Sequence, residues 1–174
     1  MTALRSQLDL CIAQLQLRQS QTSEPDIRFI TLPSFTAFCQ EFKDSDLTKK
    51  TEDLRKTFIE ATKKYQLDTA GKMCTEVFIE STSEGRYVIP VAADPDTNDE
   101  HIKKLPQTAA ICIYYRGPYE NFDTVQKKLL DYAKESNLAT CGYFRNSFME
   151  GPPTHGANKD AYITQIALPI CHLE

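Results

Sequence analysis

The sequence predicts an α+β fold made of duplicated β-α-β-β units, related by a pseudo-twofold with a ligand cleft between them and preceded by a short N-terminal helix. Three observations carry this expectation. A constant offset of 71 residues takes Leu54, Phe58, Thr62, Leu67 and Gly71 onto Val125, Leu129, Ala133, Leu138 and Gly142. The apolar spacing switches between helical and strand periods in the same order in both halves. The 174 residues suit one domain, or two half-domains fused into one, and a chain of that size can bury roughly 70% of its unfolded surface.

The elements follow in order. Leu4, Leu8, Cys11 and Leu15 recur at steps of four, three and four with Ile12 beside them, which predicts an amphipathic helix over 3–19 within an N-terminal segment 1–22. That helix either packs on its own domain or forms a dimerisation seam, and two heptads are too few to separate the two. From Asp26 the residues turn β-type, with Ile27, Phe29 and Ile30, a break at Pro33, then Phe35 to Phe42. Thr48 to Tyr65 reads as a helix whose stripe is Thr51, Leu54, Phe58, Ala61 or Thr62, and Tyr65. Residues 72–80 read as a strand, 81–85 as a turn and Tyr87 to Val91 as the return strand, completing repeat one over 26–92.

Residues 93–107 are acidic and interrupted by proline, with no apolar period, and read as a connection. Repeat two, 108–171, begins with a strand at Ala109 to Tyr115. A helix at Asn121 to Ser136 follows, with a stripe at Phe122, Val125, Leu129, Tyr132 and Ala133. A strand from Tyr143 to Glu150, a longer loop over 151–161 and a return strand from Tyr162 to Ile170 complete it. Each half has one helix to cover a sheet face, and neither is comfortable alone. The halves should therefore join, as one continuous sheet or face to face, and the cleft between them is the default binding site.

Composition excludes several function classes. A net charge of −4 and an isoelectric point near 5.5 argue against direct nucleic-acid binding, which draws its affinity from clustered Lys and Arg. The Lys-Lys pairs at 49, 63, 103 and 127 alternate with acids and read as solvated faces. The six cysteines show no CxxC spacing and read as reduced, buried thiols. His101, His155 and His172 are far apart, so neither a metal site nor a cofactor is expected. No Walker loop, GxGxxG, GxSxG or HExxH motif is present. With no leader-like or membrane-spanning segment, the expected location is the cytoplasm.

The ordered set Tyr114-Tyr115-Arg116-Gly117-Pro118-Tyr119-Glu120, Gly142-Tyr143, Gly151-Pro152-Pro153 and the closing run from Tyr162 to Ile170 resembles the GyrI-like family over about residues 26–171. This family supplies the effector-binding domain of multidrug-responsive regulators of the MerR and AraC types. The resemblance implies a cavity lined by aromatic rings, often with a buried carboxylate that favours bulky, hydrophobic, cationic small molecules. Ring faces suit such cations because their quadrupole is negative there.

The candidate ligand-binding residues include Tyr114, Tyr119 and Tyr162, which lie in the resembling motifs, and Phe38 in the first half. Strand alternation adds Phe144, Asn146, Phe148 and Glu150 on one face of the strand 143–150. Two departures from the family pattern stand out. Asn146 lies near the position where many relatives carry a Glu, and the closing Thr-Glu-Ile is here Thr164-Gln165-Ile166. Glu150 becomes the leading candidate for the charge partner, with Glu76 on the matching strand of repeat one behind it. An expected DNA-binding region is missing from residues 1–25, so a homodimer or a separate DNA-binding partner is anticipated. The chain reads as a stand-alone or truncated effector domain. The enzyme alternative is a hydrolase of electrophilic small molecules using a pocket carboxylate, which the loss of acids at 146 and 165 disfavours. A tetrapyrrole carrier would need an axial His on a cavity strand, and none is present.

Overall fold

The computed structural model describes Arg5, Leu8 and residues 26–44, 46–81, 83–150 and 162–171, with Glu150 described in its backbone alone. The expected helix over 3–19 lies outside the described residues except for Arg5 and Leu8, both helical, and the loop 151–161 lies outside them entirely.

The strands are β1 (Arg28–Leu32), β2 (Phe35–Lys43), β3 (Gln66–Leu67), β4 (Cys74–Phe78), β5 (Glu84–Ala92), β6 (Ile102–Leu105), β7 (Thr108–Arg116), β8 (Tyr143–Glu150) and β9 (Ile163–Pro169). Two helices among the described residues accompany them, α1 (Leu47–Lys64) and α2 (Phe122–Glu135), the second entered through a single 3-10 turn at Tyr119–Asn121. The sheet runs β1-β7-β9-β8-β4-β5-β2-β6, with the short β3 paired to β5. Every pairing is antiparallel. The run β2-α1-β4-β5 fills one half and β7-α2-β8-β9 the other, and they meet as one continuous sheet where β4 pairs with β8.

Registers in the two halves correspond. Cys74 lies opposite Val88 as Arg145 lies opposite Ala167, and Ala37 opposite Pro90 as Ala110 opposite Pro169. Two sequence boundaries need correction. Strand β1, expected within repeat one, pairs with β7 on the far edge. The connection 93–107 contains β6, which pairs with β2 on the other edge. Ile102 and Leu105, both buried, are too short an apolar pattern to signal a strand alone, and only a ready edge on β2 makes them one.

The helices form for local reasons. Asp46 caps α1 by accepting from the backbone N–H groups of Thr48 at 2.9 Å and Lys49 at 3.5 Å, which satisfies donors that the first turn leaves open. Lys63 and Lys64 sit in the last turn, where a cation meets the negative end of the helix dipole. In α1 the buried residues are Thr57 and Ala61, with Leu54 and Phe58 packed beside them. Thr51 and Thr62, expected in the stripe, are exposed. In α2, Val125, Leu129 and Ala133 are buried as expected, and Gln126 joins them.

Both helices lie on one face of the sheet. Strand alternation sends Phe38, Ile89 and Val91 toward α1, and Ile111, Ile113, Phe144, Ile166 and Leu168 toward α2. The opposite face has no helix among the described residues. It carries two apolar clusters, one around Ala37, Cys39, Cys74 and Val88, the other around Leu32, Cys112, Tyr114 and Ala167. Cys39, Cys74 and Cys112 are buried there and free. Cys141 is half-buried and Cys171 exposed, so the expectation of buried thiols holds for three of the five described cysteines. None of the described helices is long and apolar enough to cross a membrane.

Leu129 has no exposed surface beneath α2. Truncation to Ala should remove ~2–5 kcal/mol of stability in a urea titration. Ile59→Ala, on the outer side of α1 at 43% exposure, should change it by less than about 0.5 kcal/mol.

Candidate ligand-binding site

The face opposite α1 and α2 is curled inward. Phe35 on β2 holds its ring 5.7 Å from the Arg145 guanidinium on β8, although β5 and β4 lie between those strands. On a flat sheet three strand steps span ~14 Å, so the face must be concave for these side chains to meet. The floor of that concavity is polar. Glu76, Arg145, Ser147 and Gln165 are all buried, and register places all of them on this face with Cys74, Val88 and Ala167.

At the centre, Glu76 stands opposite Arg86 on β5 and opposite Arg145 on β8. Arg86 donates from Nε to Glu76 Oε1 at 2.5 Å. Arg145 donates from Nε to Oε2 at 3.0 Å, with Nη2 at 2.9 Å from the same oxygen. Charges removed from water this far remain ionised only when they are paired and hydrogen-bonded. The strand backbone comes close here too, because a Cβ on Gly85 would collide with the Glu76 carbonyl oxygen. Nearby burial pushes the Cys74 thiol up to about 12 and the Cys39 thiol to about 11, so neither is a thiolate nucleophile at neutral pH.

Toward β7, the Gln165 side-chain amide donates from Nε2 to the Tyr114 hydroxyl at 2.9 Å, and the Arg28 guanidinium lies 5.8 Å from the Tyr114 ring centre. The site thus combines a charged centre with aromatic flanks at Phe35 and Tyr114. No group of three His, Cys, Asp or Glu side chains among the described residues is arranged to hold a metal.

The sequence-derived candidates separate into three places. Glu76 and Tyr114 lie on the concave face. Tyr119, Phe148 and Tyr162 do meet, with Tyr119 5.5 Å from Phe148 and 5.2 Å from Tyr162 between ring centres, but on the helix side, beside the entry to α2. Burial there pushes the Tyr119 phenol up to about 12. Phe38 and Phe144 are core residues under α1 and α2. Phe38 stacks on His101 at 4.9 Å. Asn146 is buried on the helix side of the sheet, opposite Ile166.

The alternation that grouped Glu150 with Phe144, Asn146 and Phe148 does not run through. Phe148 pairs with Thr164, yet Glu150 pairs with Ile163, so a bulge intervenes. An extra residue in one strand breaks the period of two. Arg145, Arg86 and Gln165 are the site residues that sequence reasoning missed. A signal existed for Arg145, since a charge that directly follows Tyr143 and Phe144 in a strand is costly to bury unless paired.

A second concavity, an open groove of about 680 Å³, is lined by Lys64, Thr97, Asn98, Asp99, Glu100 and His101. Tyr65 donates its hydroxyl to Asp99 Oδ2 at 2.6 Å, and His101 faces Oδ1 with its backbone N–H at 2.9 Å and Nδ1 at 3.0 Å. The hydrogen bond from Tyr65, followed by those of His101, holds the Asp99 carboxyl down at about 2.

No family model matches this chain, and no curated protein is significantly similar to it. Its fold is shared with solved structures. The EcmrR C-terminal domain aligns with a TM-score of 0.71 at 14% identity over 87% of this chain and all of that one. EcmrR in a DNA complex aligns at 0.72 and 14% identity over 97% of this chain and 65% of that one. SAV2435 bound to tetraphenylphosphonium aligns at 0.56 and 13% identity over 84% of this chain and 94% of that one. A hydrolase from Listeria innocua aligns at 0.51 and 12% identity over 91% of this chain and 98% of that one. The mixed α+β fold implied by the GyrI-like resemblance is therefore the one present.

Removing the Glu76 carboxylate leaves two guanidiniums facing each other, so Glu76→Gln should lower stability by ~3–5 kcal/mol in chemical denaturation. A near-neutral result would release Glu76 as a free partner for a ligand. The depressed Asp99 pKa contributes stability that is present above the ordinary carboxyl value of 3.8 and is lost as pH falls toward about 2. The acid limb of the stability curve should accordingly be shallower in Asp99→Asn over that window.

Proposed function

We propose that this chain is a small-molecule-sensing domain that takes a bulky, largely hydrophobic ligand against the concave face and serves as the effector-binding part of a transcription regulator. One observation carries the proposal. A cluster of charged and polar side chains is buried on the face that carries no helix among the described residues, where a structural role alone would be met more cheaply by apolar residues. The shared fold with the EcmrR C-terminal domain and with SAV2435 supports it. Contact with DNA would come from another segment or a partner protein. The matching registers of the two halves support a pseudo-twofold duplication, with the ligand lying across its axis at β4 and β8.

The charge of the ligand is a finer matter. Likeness to a protein bound to tetraphenylphosphonium supports a lipophilic cation, as does the family resemblance. In this chain, Glu76 already has both oxygens engaged by arginines, so a cation preference would rest on Glu150. In that case Glu150→Gln weakens a cationic dye about tenfold and spares an uncharged dye of equal size.

The hydrolase reading draws on likeness to the Listeria innocua hydrolase. Hydrolysis by this route needs a carboxylate free to take a proton from water. Glu76 is occupied and position 165 is an amide, which favours binding over turnover. The two readings separate when the protein is incubated overnight with a panel of bulky hydrophobic compounds, including activated esters, and the mixture is analysed by mass spectrometry. Saturable one-to-one binding with unchanged compounds is expected. Accumulating hydrolysis products that disappear in Glu76→Gln or Glu150→Gln would overturn the binder in favour of the enzyme.

A further inference from the structure

Resting on the concave face as the binding site, we propose that its polar centre takes an anion: a bulky aromatic compound bearing one carboxylate or sulfonate, seated on the guanidinium of Arg86 with the buried charge of Arg145 behind it. The charge count is the starting point. Among the described residues, two arginines converge on one carboxylate, and both Glu76 oxygens are already used. An arginine does not give up its proton in a protein. The cluster therefore holds one uncompensated positive charge where water is scarce, and a counter-anion completes it.

The donors needed are at hand. Arg86 commits its Nε to Glu76, and its side chain, on the concave face by register, keeps 32% exposure, which leaves part of a planar fork suited to a carboxylate within a ligand's reach. Arg145 is 3% exposed and backs this fork as a fixed wall. Neighbouring charges on the same face, placed by register among the described residues, are Arg28 opposite Cys112, Lys103 opposite Ala37, Glu41 opposite Arg86, Arg116 opposite Ile163, and Glu84, which lies opposite Lys43 and is paired with it at 3.5 Å. Glu41 is exposed and offsets Arg86 only through solvent, so the face as a whole remains positive. Tyr143, on the same side of β8 as Arg145, has its phenol pKa raised by burial and by Glu76; it remains a neutral donor.

The apolar body of the ligand has matching surfaces. Phe35 flanks Arg145 on one side, and Tyr114, tied to Gln165, lies on the other. Gln165 offers an amide where a carboxylate would have drawn a cation. A lipophilic cation at this centre would meet like charge, and among the described residues the acid facing Arg86 apart from Glu76 is the solvent-exposed Glu41, which is discrimination by repulsion.

Isothermal titration with three probes tests this. They are 8-anilinonaphthalene-1-sulfonate, its uncharged counterpart N-phenyl-1-naphthylamine, and tetraphenylphosphonium. The sulfonate should bind one-to-one at least about tenfold tighter than the uncharged compound, the worth of a charge-assisted hydrogen bond, and should weaken with added salt. Arg86→Gln should cost the sulfonate about tenfold and leave the naphthylamine within about twofold. Arg86→Lys, which keeps the charge and loses the fork, should fall between them, and it carries the test if Arg86→Gln melts early. Equal affinity for sulfonate and uncharged compound, tighter binding of the phosphonium, or sulfonate binding indifferent to residue 86 would overturn the anion proposal while leaving the concave face as the binding site. Failure of all three probes to bind would overturn both.

Discussion

Glu76 is held between Arg86 and Arg145 at the place where β4 meets β5 on one side and β8 on the other. Two buried charges beside a half-buried third are costly to desolvate, and the arrangement survives because each carboxylate oxygen has a guanidinium donor and each strand is locked in register by the ladder around it. The β4 and β8 pairing is also the one connection that makes the two halves a single sheet. Sheet continuity, the curl of the face opposite α1 and α2 and the polarity of its floor therefore converge on one interaction.

The two faces divide the work of the molecule. On one, alternate strand residues and the stripes of α1 and α2 form closed apolar layers in which Leu129, Ile89 and Phe38 have no exposure. A face filled this way has no room for a ligand, but it keeps the sheet in shape. The other face has apolar clusters at both flanks and a charged seam between them. Such a surface is a poor core and a good receptor, since the flanks supply area and the seam supplies orientation. The aromatic group of Tyr119, Phe148 and Tyr162 stands apart, where the 3-10 turn enters α2. It fixes the start of that helix against the end of β8 and lies across the sheet from the charged seam.

Much of the fold was legible in the sequence because helix and strand periods differ and are local. The stripe at Val125, Leu129 and Ala133 needed only spacing, and so did the strands around Val88 and Ile111. The candidate site was far less legible. Phe144, Asn146 and Phe148 were correctly placed on one face, but spacing cannot say which face has helices packed upon it, and theirs is the helix side. Glu150 was lost to the group through a bulge, which depends on what the partner strand does. Arg145 and Arg86 looked like ordinary strand charges because their meaning comes from a carboxylate that alternation alone does not bring to them.

By itself the sequence determined the order of the two helices and of the longer strands, and the apolar stripe of α2, since these follow from side-chain periodicity along a chain with fixed backbone geometry. Only the tertiary structure decided that β1 and β6 cap opposite edges, that the helices share one face, and that Glu76 is claimed by two arginines. Those outcomes depend on pairing between residues as far apart as Glu76 and Arg145. Which strand edge meets which is settled by the total burial and hydrogen bonding of the folded sheet, a quantity that no local stretch of sequence contains.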